Sequence, residues 1–172
     1  MKTFSTRNLA LCALFAALTA VCSWISIPIG PVPINLALLP VLLCGALLGP
    51  VSGCLSIGCY LLLGLAGVPV FASFRGGAGA LLGPTGGYLI GYLLCVAISG
   101  LGRGKNVWQM LLFMVLGIAA CYALGTAWFV HLTGKTLAVS LSACVIPFLP
   151  GDAAKTALAL LLARRLKKPL HL

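Results

Sequence analysis

The chain has 172 residues, of which 62% are hydrophobic and 7% are charged, and its mean hydropathy is +1.18. Soluble domains carry about 25% charged residues, so this composition excludes a soluble globular protein and predicts an integral membrane protein. The formal net charge of +10 comes from basic residues that cluster at the ends of apolar stretches. That distribution argues against nucleic-acid binding and favours anionic membrane lipids as partners of those residues.

The apolar stretches leave room for six membrane-spanning helices in one transmembrane domain that covers residues 1–172. We place these spans, in chain order, at 8–27, 34–49, 50–66, 81–100, 107–130 and 138–163. The second and third spans are short and meet at Gly49-Pro50, where the boundary between them is weakly marked. The chain is therefore predicted to be an all-α, multi-pass membrane protein.

The basic residues predict the orientation of the spans. With the N-terminus in the cytoplasm, the inner side holds Lys2, Arg7, Arg103, Lys105, Arg164, Arg165, Lys167 and Lys168, and the outer side holds Arg75 and Lys135. Positive residues favour the cytoplasmic side of a membrane, so both termini are predicted to be cytoplasmic.

The first span contains two pairs of alanines at small-xxx-small spacing, Ala13/Ala17 and Ala16/Ala20. Small residues at this spacing let two helices approach closely in lipid. The face can serve packing inside the chain or docking of a partner, and the spacing does not separate these two interpretations.

Three features near the outer ends of the spans are candidates for ligand contact. Asn35 has an amide that can face a ligand or bond to neighbouring backbone. The loop at 67–79 is long, rich in glycine and carries Phe74 and Arg75, as lids and binding segments often do. Tyr88 stands beside a glycine-lined helix face, with a ring that can stack on a flat ligand and a hydroxyl that can bond to it. The simpler interpretations are a solvated charge for Arg75 and an interfacial anchor for Tyr88.

Asp152 is the one acidic residue of the chain and stands three positions before Lys155. Pro150-Gly151 precedes it, so Asp152 is predicted to be the N-cap of a helix. The i,i+3 spacing places the carboxylate and the ammonium group on one helix face. Charges inside a membrane are costly unless they are paired or face a polar cavity, so the two residues form either a functional site or a structural salt bridge.

Five segments, taken in order, resemble the signature blocks of the BioY family, which comprises the biotin-binding S components of energy-coupling-factor (ECF) transporters. The segments are Gly30-Pro31-Val32-Pro33 and residues 62–71, 83–91, 124–128 and 147–155. The family often continues the first block with a Thr-x-Gln-Thr pattern, where this chain has Asn35-Leu36-Ala37-Leu38. Asn35 is the candidate to replace the ligand contact that the glutamine would make.

The resemblance implies an S-component-like bundle of six helices in the cytoplasmic membrane of a prokaryote, with biotin as the ligand. Biotin has a ureido ring with two N–H donors and one carbonyl, an apolar bicycle and a carboxylate. Asp152 and Lys155 would bind the ureido ring and Arg75 would meet the carboxylate. The remaining residues that it implies for ligand contact are Tyr88, Phe74 and Trp128, which would enclose the rings, and Asn35.

The resemblance also implies partner proteins. These are a transmembrane coupling subunit, which would dock on Ala13 and Ala17, and two cytoplasmic ABC-type ATPases. The chain itself has no ATP-binding motif: Gly134-Lys135-Thr136 resembles the end of a P-loop, but Phe129 occupies the position of the first glycine.

An enzyme is not predicted, because one acidic residue cannot supply the paired carboxylates or the metal-binding cluster that such an active site needs. We therefore expect no catalytic residue, no metal and no cofactor. Two alternatives to an S component remain open: a solitary biotin carrier driven by an ion gradient, and a membrane assembly subunit without transport activity.

Overall fold

The computed structural model describes residues 5–27 and 32–167. Lys2, Lys168 and residues 28–31, which begin the proline-rich block, lie outside the described residues. The elements are α1 (Thr6–Trp24), β1 (Ser26–Ile27), β2 (Ile34–Asn35), α2 (Leu38–Leu65), α3 (Ala78–Leu82), α4 (Gly86–Gly100), α5 (Val107–Thr133), α6 (Leu137–Cys144) and α7 (Leu149–Leu166). The all-α class is confirmed, since each strand has two residues.

The second predicted span begins later than we placed it. Strands β1 and β2 pair in antiparallel fashion, with Ser26 opposite Asn35 and Ile27 opposite Ile34. Because the backbone of Ile34 and Asn35 is used in this pairing, helix α2 begins at Leu38 and not at position 34.

Helix α2 reverses direction at Gly49, which has φ 83° and ψ −179°. A Cβ atom on Gly53 would lie 3.7 Å from the Cα atom of Gly45. Eight residues of uninterrupted helix would separate these positions by about 12 Å. The arms 38–48 and 50–65 therefore fold back on each other as a hairpin, and the predicted boundary at Gly49-Pro50 is where the chain turns.

The fourth predicted span, 81–100, is divided into α3 and α4. Gly83 is extended (φ −76°, ψ −179°), as expected for the residue before a proline, so the helix cannot run through Pro84. Helix α4 has 15 residues and a length of about 22 Å, shorter than the roughly 30 Å of a hydrocarbon core.

The sixth predicted span, 138–163, is also interrupted. Helix α6 ends at Cys144, a 3₁₀ turn occupies Ile146–Phe148, and α7 then begins at Leu149. Pro147 and Pro150 contribute to this break because neither can donate a backbone hydrogen bond to the preceding turn.

Four segments of the described chain are long and apolar enough to cross a membrane: Thr6–Trp24, Leu38–Leu65, Val107–Thr133 and Leu137–Leu166. The second of these is the α2 hairpin, and the shorter α4 is also apolar. The count of six spans and the cytoplasmic location of both termini stay predictions.

The arm 38–48 is the centre of the bundle. Val41, Leu42 and Cys44 are completely buried, as expected for a helix that is apolar on all sides. Helix α4 packs against α2 on one side and antiparallel to α5 on the other, where Gly91 approaches Cys121 and Gly117 approaches Cys95. This packing places Asn35, the N-terminus of α4 and the C-terminal half of α5 at one end of the bundle, where the cavity described below lies.

Candidate functional site

A cavity of about 770 Å³, counting the part that opens to solvent, lies at this end of the bundle. Its walls come from β2, the loop after α2, the start of α4, the middle of α5 and the start of α7. The aromatic, polar and charged residues of the cavity wall include Asn35, Phe71, Arg75, Tyr88, Tyr92, Tyr122, Phe148, Asp152 and Lys155. The wall combines apolar groups with a few polar ones, as is typical of small-molecule sites.

Asp152 and Lys155 form a buried ion pair in this wall. Their side chains are 7% and 8% exposed, and Lys155 Nζ donates to Asp152 Oδ1 at 2.8 Å. Tyr122 Oη, from α5, donates to the other carboxylate oxygen, Oδ2. The carboxylate is therefore held by one donor from its own helix and one from a neighbouring helix, which fixes its position at the cavity.

The prediction that Asp152 is the N-cap of its helix is wrong. Helix α7 begins at Leu149 with Phe148 at the N-cap, so Asp152 lies in the first turn and its side chain caps no backbone group. The carboxylate is directed to Tyr122 and Lys155 instead. Its position in the first turn still stabilises a negative charge, because the N-terminal end of a helix dipole is positive.

Two further hydroxyl groups are fixed at the cavity wall. Tyr88 Oη and Thr126 Oγ1 are 3.0 Å apart and share a hydrogen bond. Tyr92 Oη donates to Asn35 Oδ1 at 3.4 Å, and the same amide oxygen accepts from Ala37 N at 3.0 Å. Asn35 thus lies at the cavity wall, and its amide oxygen bonds to local backbone. Contact between this amide and a ligand stays a prediction.

The loop between α2 and α3 covers one side of the cavity. Phe71 is buried and its ring meets Tyr60 edge to face, with the centroids 5.4 Å apart. Phe71 N donates to Arg75 O at 2.9 Å, which closes a short turn. The guanidinium group of Arg75 is exposed at the cavity and makes no hydrogen bond or ion pair with residues 5–27 or 32–167. A positive group is therefore available at the mouth.

Phe74 and Trp128 lie outside this cavity. Phe74 has a left-handed backbone (φ 56°), is 63% exposed and stacks on Trp24 at 5.2 Å between the ring centroids. Trp128 packs against Gly87 and donates from Nε1 to Gly83 O at 3.0 Å, which ties α5 to the start of α4.

The two alanine pairs of α1 have different surroundings. Ala16 and Ala20 are buried, 5% and 8% exposed, in the core of the chain. Ala13 and Ala17 are exposed on the adjoining face of the helix. One pair therefore serves internal packing, and the other is available to a partner.

Sequence reasoning missed Tyr122 and Tyr92. A usable signal was present, because a tyrosine in the middle of an apolar span needs a hydrogen-bond partner for its hydroxyl group. The chain has four tyrosines, and three of them line the cavity.

The chain is similar over nearly its whole length to known proteins. A "probable biotin transporter BioY" of Pyrococcus horikoshii is 44% identical over 161 residues, which cover 94% of this chain and 96% of the relative. A "biotin transporter BioY" of Thermotoga maritima is 42% identical, with the same coverage. A crystal structure of the S-component for biotin from an ECF-type ABC transporter superposes with a TM-score of 0.88 at 31% identity, over 96% of this chain and 95% of that one. The sequence model of the BioY family matches residues 1–171, and the chain therefore belongs to the BioY family.

Proposed function

We propose that the chain binds biotin in the cavity between β2, α4, α5 and α7, as the substrate-binding subunit of an ECF-type importer in the cell membrane. The observation that carries the proposal is the buried Asp152–Lys155 pair held by Tyr122 in the cavity wall. The names of the relatives support biotin as the ligand, and these relatives are transporters by name and not enzymes.

The donors and acceptors of the ion pair match a ureido ring. A carboxylate offers about four lone-pair sites, and Tyr122 and Lys155 use two of them, which leaves acceptor capacity for ureido N–H groups. An ammonium group has three donors and Lys155 directs one to Asp152, so it can also donate to the ureido carbonyl. A cyclic urea therefore finds both kinds of partner in one helical turn.

The rest of the cavity suits the remaining parts of biotin. Phe71, Tyr88, Tyr92 and Phe148 give apolar ring surface for the bicycle. Arg75 at the mouth has a free guanidinium group for the carboxylate at the end of the apolar chain, and a carboxylate there would stay close to water. Asn35 has an amide beside Tyr92 that can contribute a further polar contact.

The energy for import would come from partners, a coupling transmembrane subunit and two cytoplasmic ATPases. Two observations support this step. The solved structure that superposes on the chain is the S-component for biotin from an ECF-type ABC transporter, and Ala13 and Ala17 form an exposed small-residue face on α1.

Calorimetric titration of the detergent-purified protein with biotin tests the site. Asp152→Asn or Lys155→Ala should weaken binding by about 3 kcal/mol or more, because each change leaves the other group buried without its partner. That difference corresponds to about a hundredfold or more in Kd. Lys135→Ala, an exposed cation outside the cavity, is the matched control and should bind as the parent does.

Loss of folding is the main confounding effect, since a stranded charge also destabilises the bundle. The double variant Asp152→Asn/Lys155→Met has no stranded charge and should regain thermal stability while still failing to bind biotin. Parent-like affinity in both single variants would refute the assignment of these residues.

A further inference from the structure

A second concave region lies on the outer face of the bundle, in a groove between α5 and α7. Its walls are formed by Leu111, Val115, Ile118, Ala119 and Tyr122 of α5 and by Leu149, Asp152, Ala153, Thr156, Ala157 and Leu160 of α7. The space between these walls is about 930 Å³, counting the open side. Helices α5 and α7 pack against each other less closely than α4 and α5 do, so residues 5–27 and 32–167 leave the groove unfilled.

Polar side chains are few in the wall of the groove, and each already has a partner within the chain. Three wall residues carry polar groups, and each group is already bonded: Tyr122 donates to Asp152, Asp152 accepts from Lys155, and Thr156 Oγ1 donates to Asp152 O at 2.6 Å. The other wall residues are apolar. An occupant must therefore bind mainly by apolar contact, which disfavours a polar solute.

The length and position of the groove match one leaflet of a bilayer. From Leu111 to Tyr122 the rise along α5 is about 17 Å, close to half of the roughly 30 Å hydrocarbon core. The groove begins at the partly buried Tyr122–Asp152 contact and runs towards the N-terminus of α5 and the C-terminus of α7. One acyl chain of a lipid is an extended apolar group of this size.

The far end of the groove is basic and carries an interfacial aromatic residue. Arg164 stands one turn beyond Leu160 on the same side of α7, Arg165 follows it, and both are exposed. Trp108 stands one turn before Leu111 on α5 and is 80% exposed, as is typical of tryptophan at the level of lipid headgroups. Two guanidinium groups at that level attract an anionic headgroup.

We propose that this groove is a binding site for an anionic phospholipid, with one acyl chain between α5 and α7 and the phosphate at Arg164 and Arg165. The acyl chain would also close the membrane side of the cavity that we propose for biotin, because Ile118, Tyr122 and Asp152 line both the cavity and the groove. The acyl chain would lie against the outer side of the Tyr122–Asp152 contact and keep water away from it.

The site can be tested on the isolated protein in nanodiscs that contain equal amounts of phosphatidylglycerol and phosphatidylcholine. Native mass spectrometry should show one retained phosphatidylglycerol molecule. Arg164→Gln and Arg165→Gln should each lower its binding constant about fivefold, the effect expected of one basic residue at an anionic surface. Lys135→Gln, at the opposite end of the bundle, should leave the retention unchanged.

The acyl position has its own pair of variants. Ala157→Phe fills the groove and should abolish retention, whereas Leu158→Phe, on the neighbouring exposed face, should not. A phosphatidylglycerol with a diazirine in its acyl chain should crosslink to the groove residues of α5 and α7. Should Ala157→Phe fail to fold, the exposed arginines and the crosslinked positions still decide the question.

Three results would overturn the proposal: equal retention of both lipids, crosslinks away from the groove, or a helix of another subunit crosslinked into the groove in the assembled transporter. Biotin titration of the same sample is a separate measurement. A protein that holds the lipid but binds no biotin would refute the proposed function and leave the lipid site standing.

Discussion

Tyr122 connects the only acidic side chain of the sequence to a second helix. Its hydroxyl group donates to Asp152 Oδ2, while Lys155 donates to Oδ1, so the two oxygens are held by different elements. Without Tyr122 the carboxylate would be held only by Lys155 of the same helix. That single ion pair would leave the Asp152 side chain free to turn. Tyr122 is therefore a positioning residue for Asp152.

Replacing Tyr122 with phenylalanine should weaken biotin binding by about 1.5–3 kcal/mol, the range for a hydrogen bond to a charged group. Titration calorimetry measures this change directly. Tyr60→Phe is the matched control: it removes the 2.8 Å hydrogen bond between Tyr60 Oη and Ser23 Oγ, which lies between α1 and α2. It should cost about 1 kcal/mol of stability and leave affinity unchanged. Equal affinities for parent and Tyr122→Phe would show that the tyrosine does not position the carboxylate.

At the scale of single elements, the α2 hairpin depends on one backbone conformation. Gly49 has φ 83° and ψ −179°, a combination that is essentially restricted to glycine. Arg103 Nη1 donates to Leu48 O at 2.8 Å, so the carbonyl at the end of the first arm is bonded from the loop after α4. The turn is thus held both by its glycine and by a neighbouring element.

Gly49→Ala should lower the free energy of unfolding by about 1–3 kcal/mol because the new side chain strains this conformation. Gly58→Ala is the control, since Gly58 lies in the helical arm 50–65 with open space around it, and it should stabilise the protein by up to about 1 kcal/mol. Thermal unfolding in detergent measures both changes. Equal midpoints of thermal unfolding for Gly49→Ala and Gly58→Ala would mean that the hairpin tolerates a Cβ atom at the turn.

The loop after α2 is the element most suited to act as a lid. Phe71 and Arg75 line the cavity from this loop, and Ser73 and Phe74 between them have left-handed backbones (φ 58° and 56°). A ligand under the loop would gain contacts with these residues and oppose its local opening.

Trypsin should therefore cleave after Arg75 more slowly when biotin is present. At a hundredfold excess over Kd, bound ligand stabilises the closed form by about 2.7 kcal/mol, so cleavage can slow by up to about a hundredfold. Lys105, exposed in the loop between α4 and α5, is the internal control, and its cleavage should not respond to biotin. In intact spheroplasts the bond after Arg75 should be reachable and the bond after Lys105 should not. Cleavage after Lys105 from outside would contradict the predicted orientation, and unchanged cleavage after Arg75 would contradict the lid.

At the scale of the whole molecule, the chain is a multi-pass membrane protein whose exposed surfaces are mostly apolar. The face of α1 around Ala13 and Ala17 carries small exposed residues, which let another helix come close. The cavity lies at one end of the bundle and this face lies along its side. The proposed binding of biotin and the proposed docking of a coupling subunit should therefore be separable by mutation.

Ala13→Trp or Ala17→Trp should block assembly with the coupling subunit and abolish uptake, while biotin binding to the isolated chain stays near that of the parent. Copurification of the subunits and titration with biotin measure the two effects. Leu141→Trp on α6, also exposed, is the matched surface control and should assemble normally. Assembly and uptake by the tryptophan variants at the level of the parent would exclude this face as the docking surface.

Several features of the protein follow from the sequence by itself. Composition and hydropathy establish a membrane protein, since no soluble fold can place so few charges over its surface. The spacing of Asp152 and Lys155 establishes that they share a helix face, because helix geometry is local. Gly49-Pro50 marks a break in the apolar run, and that too is a property of neighbouring residues.

The tertiary structure decided what depends on how the helices are rotated against one another. Tyr122 reaches Asp152 across 30 positions of sequence, and Tyr92 reaches Asn35 across 57. Phe74 and Trp128 have suitable rings, yet their partners in the fold, Trp24 and Gly83, hold them away from the cavity. The two alanine pairs of α1 have the same spacing, but packing against α2 buries Ala16 and Ala20 and leaves Ala13 and Ala17 exposed. These outcomes depend on contacts between distant segments, which no local pattern specifies.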